Sequence, residues 1–364
     1  MKRSYLAYGI IVLWLAASVS CGPIRSVGRN PKGAALNGWD TLPNYKKGAF
    51  QNLTERLDSA VTYKRWLFLH KRPSTIRPSK PLPWVKTDLK TLAAPAPTVV
   101  WFGHSSLLIK TGQGNILIDP IFSNHAGPVP GLVTAFKGTM NYNAEDMPPI
   151  DVLIISHDHY DHLDFRTLKK LKSRIKMAIV PVGVGADLRY WGFDRKKILE
   201  LNWNQSATLP GGLTITAAPA QHKSNRTTYN TANKTLWASY VIQAGQYKLF
   251  YGGDGGYGPH FKQIGKQYGP FDLALLECGQ YSPNWAWTHL TFGETAKAAT
   301  DLQARLLQPI HWGKFVAADH PWNEPIEKLI PAAEKAGIQL NVPRIGEPYT
   351  LGDAPKRTVW WDFE

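Results

Sequence analysis

The pattern of apolar and polar positions changes abruptly within residues 152–164, VLIISHDHYDHLD. Val152, Leu153, Ile154 and Ile155 run without polar alternation behind Pro148 and Pro149, which predicts a central strand covered on both faces. Three further apolar runs lead to a residue that can hold a metal: LTITAAPAQH to His222, YKLFYGGDGGYG to Asp254 and ARLLQPIHWG to His311. Each residue falls just past the C-terminal end of its run, where α/β sheets present ligands. Earlier, TVVWFGHSSLLIKTGQGNILIDP pairs strand runs through the turn GQGN, as a hairpin does. Helical segments follow in FRTLKKLKSRI, TFGETAKAATDLQ and PIEKLIPAAEKAG, the first heavily basic on its polar face. Strands alternating with helices around one ligand set predict a single α/β catalytic domain at 96–352, between an N-terminal extension at 22–95 and a C-terminal tail at 353–364.

Beyond Ser156 the chemistry inverts. His157 and His159 are two apart, so near a strand end they can point the same way, and Asp161 and His162 come from the following turn. Imidazole and carboxylate suit zinc and its first-row neighbours, and a buried concentration of them is costly without a cation. The run therefore reads as a metal site, with His222, Asp254 and His311 as further candidate ligands. Glycines around Asp254 leave little side-chain bulk to hinder approach.

The words WFGHSSLLI, ILIDPIFSN, SHDHYDHLD, GGDGGYGPHFKQIGKQYGPFDLALLECGQY and PIHWGKF, with a weaker likeness at GAFQNL, resemble the metallo-β-lactamase superfamily. Within it the chain is most similar to the N-acylphosphatidylethanolamine-hydrolysing phospholipase D branch and its bacterial relatives. The resemblance implies an αββα four-layer sandwich, two sheets back to back with helices outside and metals along one edge. It also implies that His157, His159 and His222 hold one metal, that Asp161, His162 and His311 hold a second, and that Asp254 bridges them. Two Zn2+ ions are the expected cofactors, although iron or manganese suits the same ligands. A hydroxide shared between cations roughly 3.5–4 Å apart would then serve as nucleophile, with no serine or cysteine required. Asp161, Asp254 and His289 are the catalytic candidates; His289, in NWAWTHLTFGE, matches a position that the family keeps near the metals for substrate phosphate. Gly255 departs from the family pattern, which has Thr after the bridging Asp, and this puts a loop hydrogen bond in question.

Asp119 and Asp164 are candidates to accept a ligand histidine's spare N–H, with a strand-end turn cap as the alternative for Asp119. His104 is expected to pack near the site or cap a turn. His70, His125, His260 and His320 read as surface or loop residues, and Cys278 as a small core residue.

The N-terminus carries a different signal. Lys2 and Arg3 precede YLAYGIIVLWLAASVS and Cys21, which reads as a signal segment at 1–21 of the bacterial lipoprotein kind, with lipid attached at Cys21. An uncleaved anchor, simple secretion and a cytoplasmic protein are the alternatives. The Pro-rich, basic stretch HKRPSTIRPSKPLPWVK is expected to be extended and exposed. The formal net charge of +15 fits attraction to an anionic membrane surface or a phosphate-bearing substrate, while no nucleic-acid module is recognisable. Trp285 and Trp287 share a loop with Tyr281 and Phe292, a composition suited to the headgroup level of a bilayer. Together these readings point to a dinuclear hydrolase of a lipid phosphodiester in the bacterial cell envelope. A lactonase or other ester hydrolase on the same metals, and a non-catalytic metal- or lipid-binding envelope lipoprotein, are the alternatives.

Overall fold

The computed structural model describes residues 25–54, 73–131, 133–226 and 232–362. The signal segment, Cys21 and His70 lie outside the described residues. A short hairpin of β1 (Tyr45–Lys46) and β2 (Ala49–Phe50) precedes two sheets. The first sheet contains β3 (Thr98–Trp101), β4 (Leu107–Thr111), β5 (Gly114–Ile118), β6 (Ile150–Ile154), β7 (Ile175–Pro181) and β8 (Ile198–Leu201). The second contains β9 (Ser206–Thr208), β10 (Thr214–Ala218), β11 (Ser239–Ala244), β12 (Tyr247–Tyr251), β13 (Leu273–Glu277), β14 (Leu306–Ile310) and β15 (Gln339–Leu340). Strand β16 (Pro348–Thr350) returns to the first sheet beside β3. The helices are α1 (Phe165–Leu171), α2 (Gly185–Tyr190), α3 (His260–Tyr268), α4 (Phe292–Asp301) and α5 (Glu324–Lys335).

Among the described residues the sheet orders are β16-β3-β4-β5-β6-β7-β8 and β15-β14-β13-β12-β11-β10-β9. Each sheet begins antiparallel and turns parallel, at β5 to β8 in one and β12 to β15 in the other. The uninterrupted apolar run of β6 follows from this position. Val152 and Ile154 face the second sheet, packing in one core with Ile215, Tyr240, Leu249 and Tyr251. Leu153 and Ile155 face outward in a second cluster with Phe165, Leu168 and Leu171 of α1. Both faces are therefore dry, and cutting Ile154 to Ala would cost about 2–5 kcal/mol through lost contacts and a cavity. The four-layer arrangement and the GQGN hairpin between β4 and β5 are as the sequence predicts.

The extension is less peripheral than its composition suggests. Trp39 and Phe50 enter the core between the sheets. The described part of the Pro-rich stretch is largely exposed, yet Leu82 is buried and its N–H donates to Lys137 O at 2.8 Å. His260, expected at the surface, is buried at the start of α3 because its ring packs 4.2 Å from Phe261. Cys278 is buried as a small core residue. No helix among the described residues is long and apolar enough to cross a membrane.

Candidate metal centre

The four donors of the HDHYDH run occupy the turn that leaves β6. Its backbone closes through N–H groups of His162 and Leu163, which donate to His159 O at 3.1 and 2.8 Å. Asp164 then caps α1, accepting from the N–H groups of Arg166 and Thr167. This corrects the expectation that Asp164 accepts a ligand histidine's N–H: the first turn of α1 already supplies unsatisfied donors that claim the carboxylate.

Asp119 does fill that role. It sits at the end of β5 in the left-handed region, with φ 39°, and its side chain is fully buried. His162 Nδ1 donates to Asp119 Oδ2 at 2.8 Å, and Ser156 N and Tyr251 OH donate to the same carboxylate at 2.8 and 2.6 Å. The contact fixes the His162 tautomer and aims Nε2 at Asp254 Oδ2, 3.1 Å away. His222 is oriented in the same manner, with Nδ1 donating to Thr288 O at 2.9 Å.

The predicted residues gather in two linked groups. His157 Nε2 and His222 Nε2 lie 2.9 and 3.2 Å from His159 Nδ1. His104, Asp161, His162 and His311 form the second group. Asp254 stands between: Oδ2 is 3.9 Å from His157 Nε2, and Oδ1 is 3.1 Å from His311 Nδ1. Its approach depends on Gly253, at φ 61°, where an added Cβ would come within 2.9 Å of Ser156 Cβ.

The donor set fits a pair of cations. Three ring nitrogens converge where few protons are present to join them, and among the described residues the buried atoms His162 Nε2 and Asp254 Oδ1, though close to Asp254 Oδ2 and His311 Nδ1, make no well-formed hydrogen bond. Burial holds His157, His222 and His311 well below the ordinary histidine range and His159 down at about 3, so these rings are neutral donors. Burial also pulls His162 down, but the carboxylates of Asp254 and Asp161 outweigh it and hold the ring well above its usual value. Asp254 is pushed up to about 7 by burial against the opposing pull of His162. A cation in place of the His162 proton relieves both burdens.

His104 packs at the site as expected, while two further participants, Glu277 and Asn52, escaped the sequence reading. His104 is fully buried, with Nε2 3.0 Å from Asp161 Oδ2 and its ring 4.1 Å from that of His311. Glu277, at the end of β13, accepts from Gly255 N and Leu290 N and meets His289 Nδ1 at 2.7 Å. The Glu277 carboxylate thus engages Gly255, where a Thr hydroxyl is absent. Asn52, in the extension, donates to His222 O and accepts from His222 N, at 2.8 and 3.0 Å. A lone acid closing an apolar strand was the available signal for Glu277; nothing local marked Asn52.

His289 joins the site, its ring stacked 5.3 Å from His311. The adjacent loop leaves Trp287 38% exposed and Trp285 half-buried, with Trp285 Nε1 donating to Gln280 O at 2.7 Å.

Comparison with known proteins gives a concordant picture. Residues 114–312 match the Beta-lactamase superfamily domain. An uncharacterized protein of Mycobacterium tuberculosis is 37% identical over 330 residues, covering 88% of this chain and 87% of its own. N-acyl-phosphatidylethanolamine-hydrolyzing phospholipase D 1 of Caenorhabditis elegans is 32% identical over 247 residues, covering 63% of this chain and 67% of its own. Among solved structures, the metallo hydrolase Igni18 of Ignicoccus hospitalis aligns with a TM-score of 0.54 and 23% identity, over 70% of this chain and 97% of its own.

Proposed function

Because this chain belongs to the metallo-β-lactamase superfamily as a metal-dependent hydrolase, we propose that it cleaves the phosphodiester of a glycerophospholipid such as an N-acylphosphatidylethanolamine. The observation that carries the reading is His289. Its Nδ1 is held by buried Glu277, so Nε2 is the atom left to meet an anionic oxygen beside Asp254 and His311. In this reading His157, His159 and His222 hold one cation, Asp161, His162 and His311 a second, and Asp254 spans them. A pair of bound divalent cations, zinc by default, supplies an activated water and neutralises phosphoryl charge. The protein's own residues do the rest. Asp119 and Thr288 O lock the rings of His162 and His222, and His289 orients the phosphoryl group by donating from Nε2. Water adds at phosphorus as the bond to the headgroup oxygen breaks, leaving phosphatidic acid and the headgroup alcohol.

Membrane association completes the proposal. The +15 formal charge and exposed Trp287 suit an anionic lipid surface, and lipidation at Cys21 would place the protein in the cell envelope. The test is a panel of lipid phosphodiesters, short soluble phosphodiesters and lactones, presented to the metal-replete protein. Preferential turnover of the lipid phosphodiesters with release of phosphatidic acid is expected. Preferential turnover of lactones would overturn the substrate assignment.

A further inference from the structure

One arginine ties the metal-motif turn to a segment of the chain far outside it. Arg226 is only 7% exposed, and its guanidinium donates to four backbone carbonyls. Two of these belong to the motif turn: Nη1 reaches Asp158 O at 2.5 Å and Leu163 O at 2.9 Å. The other two belong to the N-terminal segment: Nη2 reaches Ser26 O at 2.6 Å and Nε reaches Val27 O at 3.2 Å. The Tyr160 ring, from the middle of the turn, lies 4.2 Å from the guanidinium carbon, and its hydroxyl donates to Arg226 O at 2.6 Å.

The N-terminal segment is seated by contacts of its own. Arg29 N donates to Asp187 Oδ1 at 2.7 Å, and Trp191 Nε1 donates to Arg25 O at 2.8 Å. Between them Gly28 takes φ 81°, where an added Cβ would overlap Asp187 Oδ1. Gly28 is thus the position at which the chain is pressed against α2. Residues 25–29 lie outside the stretch 114–312 that matches the family domain.

We propose that residues 25–29 are a strap that positions the metal-motif turn through Arg226, so that seating of the N-terminal segment sets the affinity of the centre for metal. A guanidinium in a dry site needs acceptors for its donors. With the strap in place all four carbonyls fit one planar fork, and its edges span the turn between Asp158 and Leu163. With the strap removed, Nε and Nη2 lose their acceptors and the fork is free to rotate away from the turn. His157, His159, Asp161 and His162 all project from that turn or its flanks, so their convergence loosens. Arg226 is accordingly a positioning residue, acting through backbone carbonyls and not on substrate.

The inference rests on the ligand set proposed above, and its test reads metal directly. Zn2+ affinity is measured by competition with a chromophoric chelator, and the Co2+-loaded protein is examined by its d–d absorption. The proteins are wild type, Gly28→Ala, Arg226→Lys and the double variant, with tryptic cleavage after Arg25 or Arg29 reporting release of the strap. Each single variant is expected to weaken Zn2+ binding about tenfold or more and to alter the Co2+ spectrum, as for other groups that orient ligands. The double variant is expected to be no weaker than the worse single one, because both changes break the same link. Tryptic release of the strap in Gly28→Ala with wild-type Zn2+ affinity and Co2+ spectrum would overturn the proposal. So would additive losses in the double variant, including when Arg226→Lys alone folds poorly. A wild-type protein that binds no Zn2+ or Co2+ would instead overturn the ligand set, and this inference with it.

Discussion

Glu277 Oε2 and His289 Nδ1 meet at 2.7 Å, the carboxyl fully buried and the imidazole partly so. Burial raises the carboxyl and lowers the imidazole, which favours a neutral pair with the shared proton on Glu277. His289 then carries its own proton on Nε2, facing the substrate side. Glu277→Gln preserves a donor to Nδ1 and is expected to keep most activity. Glu277→Ala and His289→Ala are expected to lower kcat about 100-fold while metal content, measured by elemental analysis, stays at the wild-type level. Equal damage from Glu277→Gln and Glu277→Ala would contradict the tautomer argument.

Asp254 and Asp272 flank neighbouring elements of the same sheet but differ in role. Asp272 accepts from Lys248 N and pairs at 2.9 Å with the well-exposed Arg305. Asp254→Ala is expected to lose metal and activity together. Asp272→Ala should retain metal and most activity, since an exposed pair contributes about 0–1 kcal/mol. Elemental analysis of both purified variants decides; full activity with two metals per chain in Asp254→Ala would end the bridging assignment.

Trp287 is expected to act on interfacial substrate only. Replacing Trp285 and Trp287 together by Ala should depress turnover of vesicle-bound lipid far more than turnover of a short soluble phosphodiester. The comparison is made at matched metal content, alongside thermal stability. Equal loss on both substrates with a lower Tm would assign the rings to packing.

His260 gives a pH signature separate from the metals. Burial alone lowers its pKa to about 4, and Nε2 has no hydrogen-bond partner among the described residues. Between pH about 6.5 and about 4 the unfolded chain therefore binds the extra proton, so this group's contribution to stability falls as the pH falls. His260→Phe, which keeps the ring against Phe261, is expected to narrow the Tm loss across that window. Denaturation of the two metal-loaded proteins from pH 7 to 4 measures it, and parallel curves would show that folded His260 takes up its proton as readily as the unfolded chain does.

Much of the candidate centre was legible because its candidate ligands end strands. An apolar run stopping at His157, His222, Asp254 or His311 reports both the strand and the sheet edge, and two such runs from different sheets meet at one edge once the sandwich closes. What a run cannot report is which side chain arrives from the opposite direction. His104 reaches Asp161, and Asn52 reaches His222, from loops that no local periodicity describes. Asp119 and Asp164 look alike in sequence, each an acid near a strand or helix boundary. Their separation follows from geometry: Asp164 precedes a helix with open N–H groups, whereas Asp119 sits in a tight left-handed turn beside His162. His260 was misplaced although Phe261 and Ile264, three apart, already mark the buried face of the helix that it opens.

The division of donors between two sheets also orders events during synthesis. The motif turn lies in the first sheet, whereas His222, Asp254 and His311 follow strands of the second and come later in the chain. A fragment ending at β8 would carry the motif turn and His104 but none of His222, Asp254 and His311, so it would offer only part of the donor set. Closing the candidate centre therefore requires β10, β12 and β14 to dock against the first sheet.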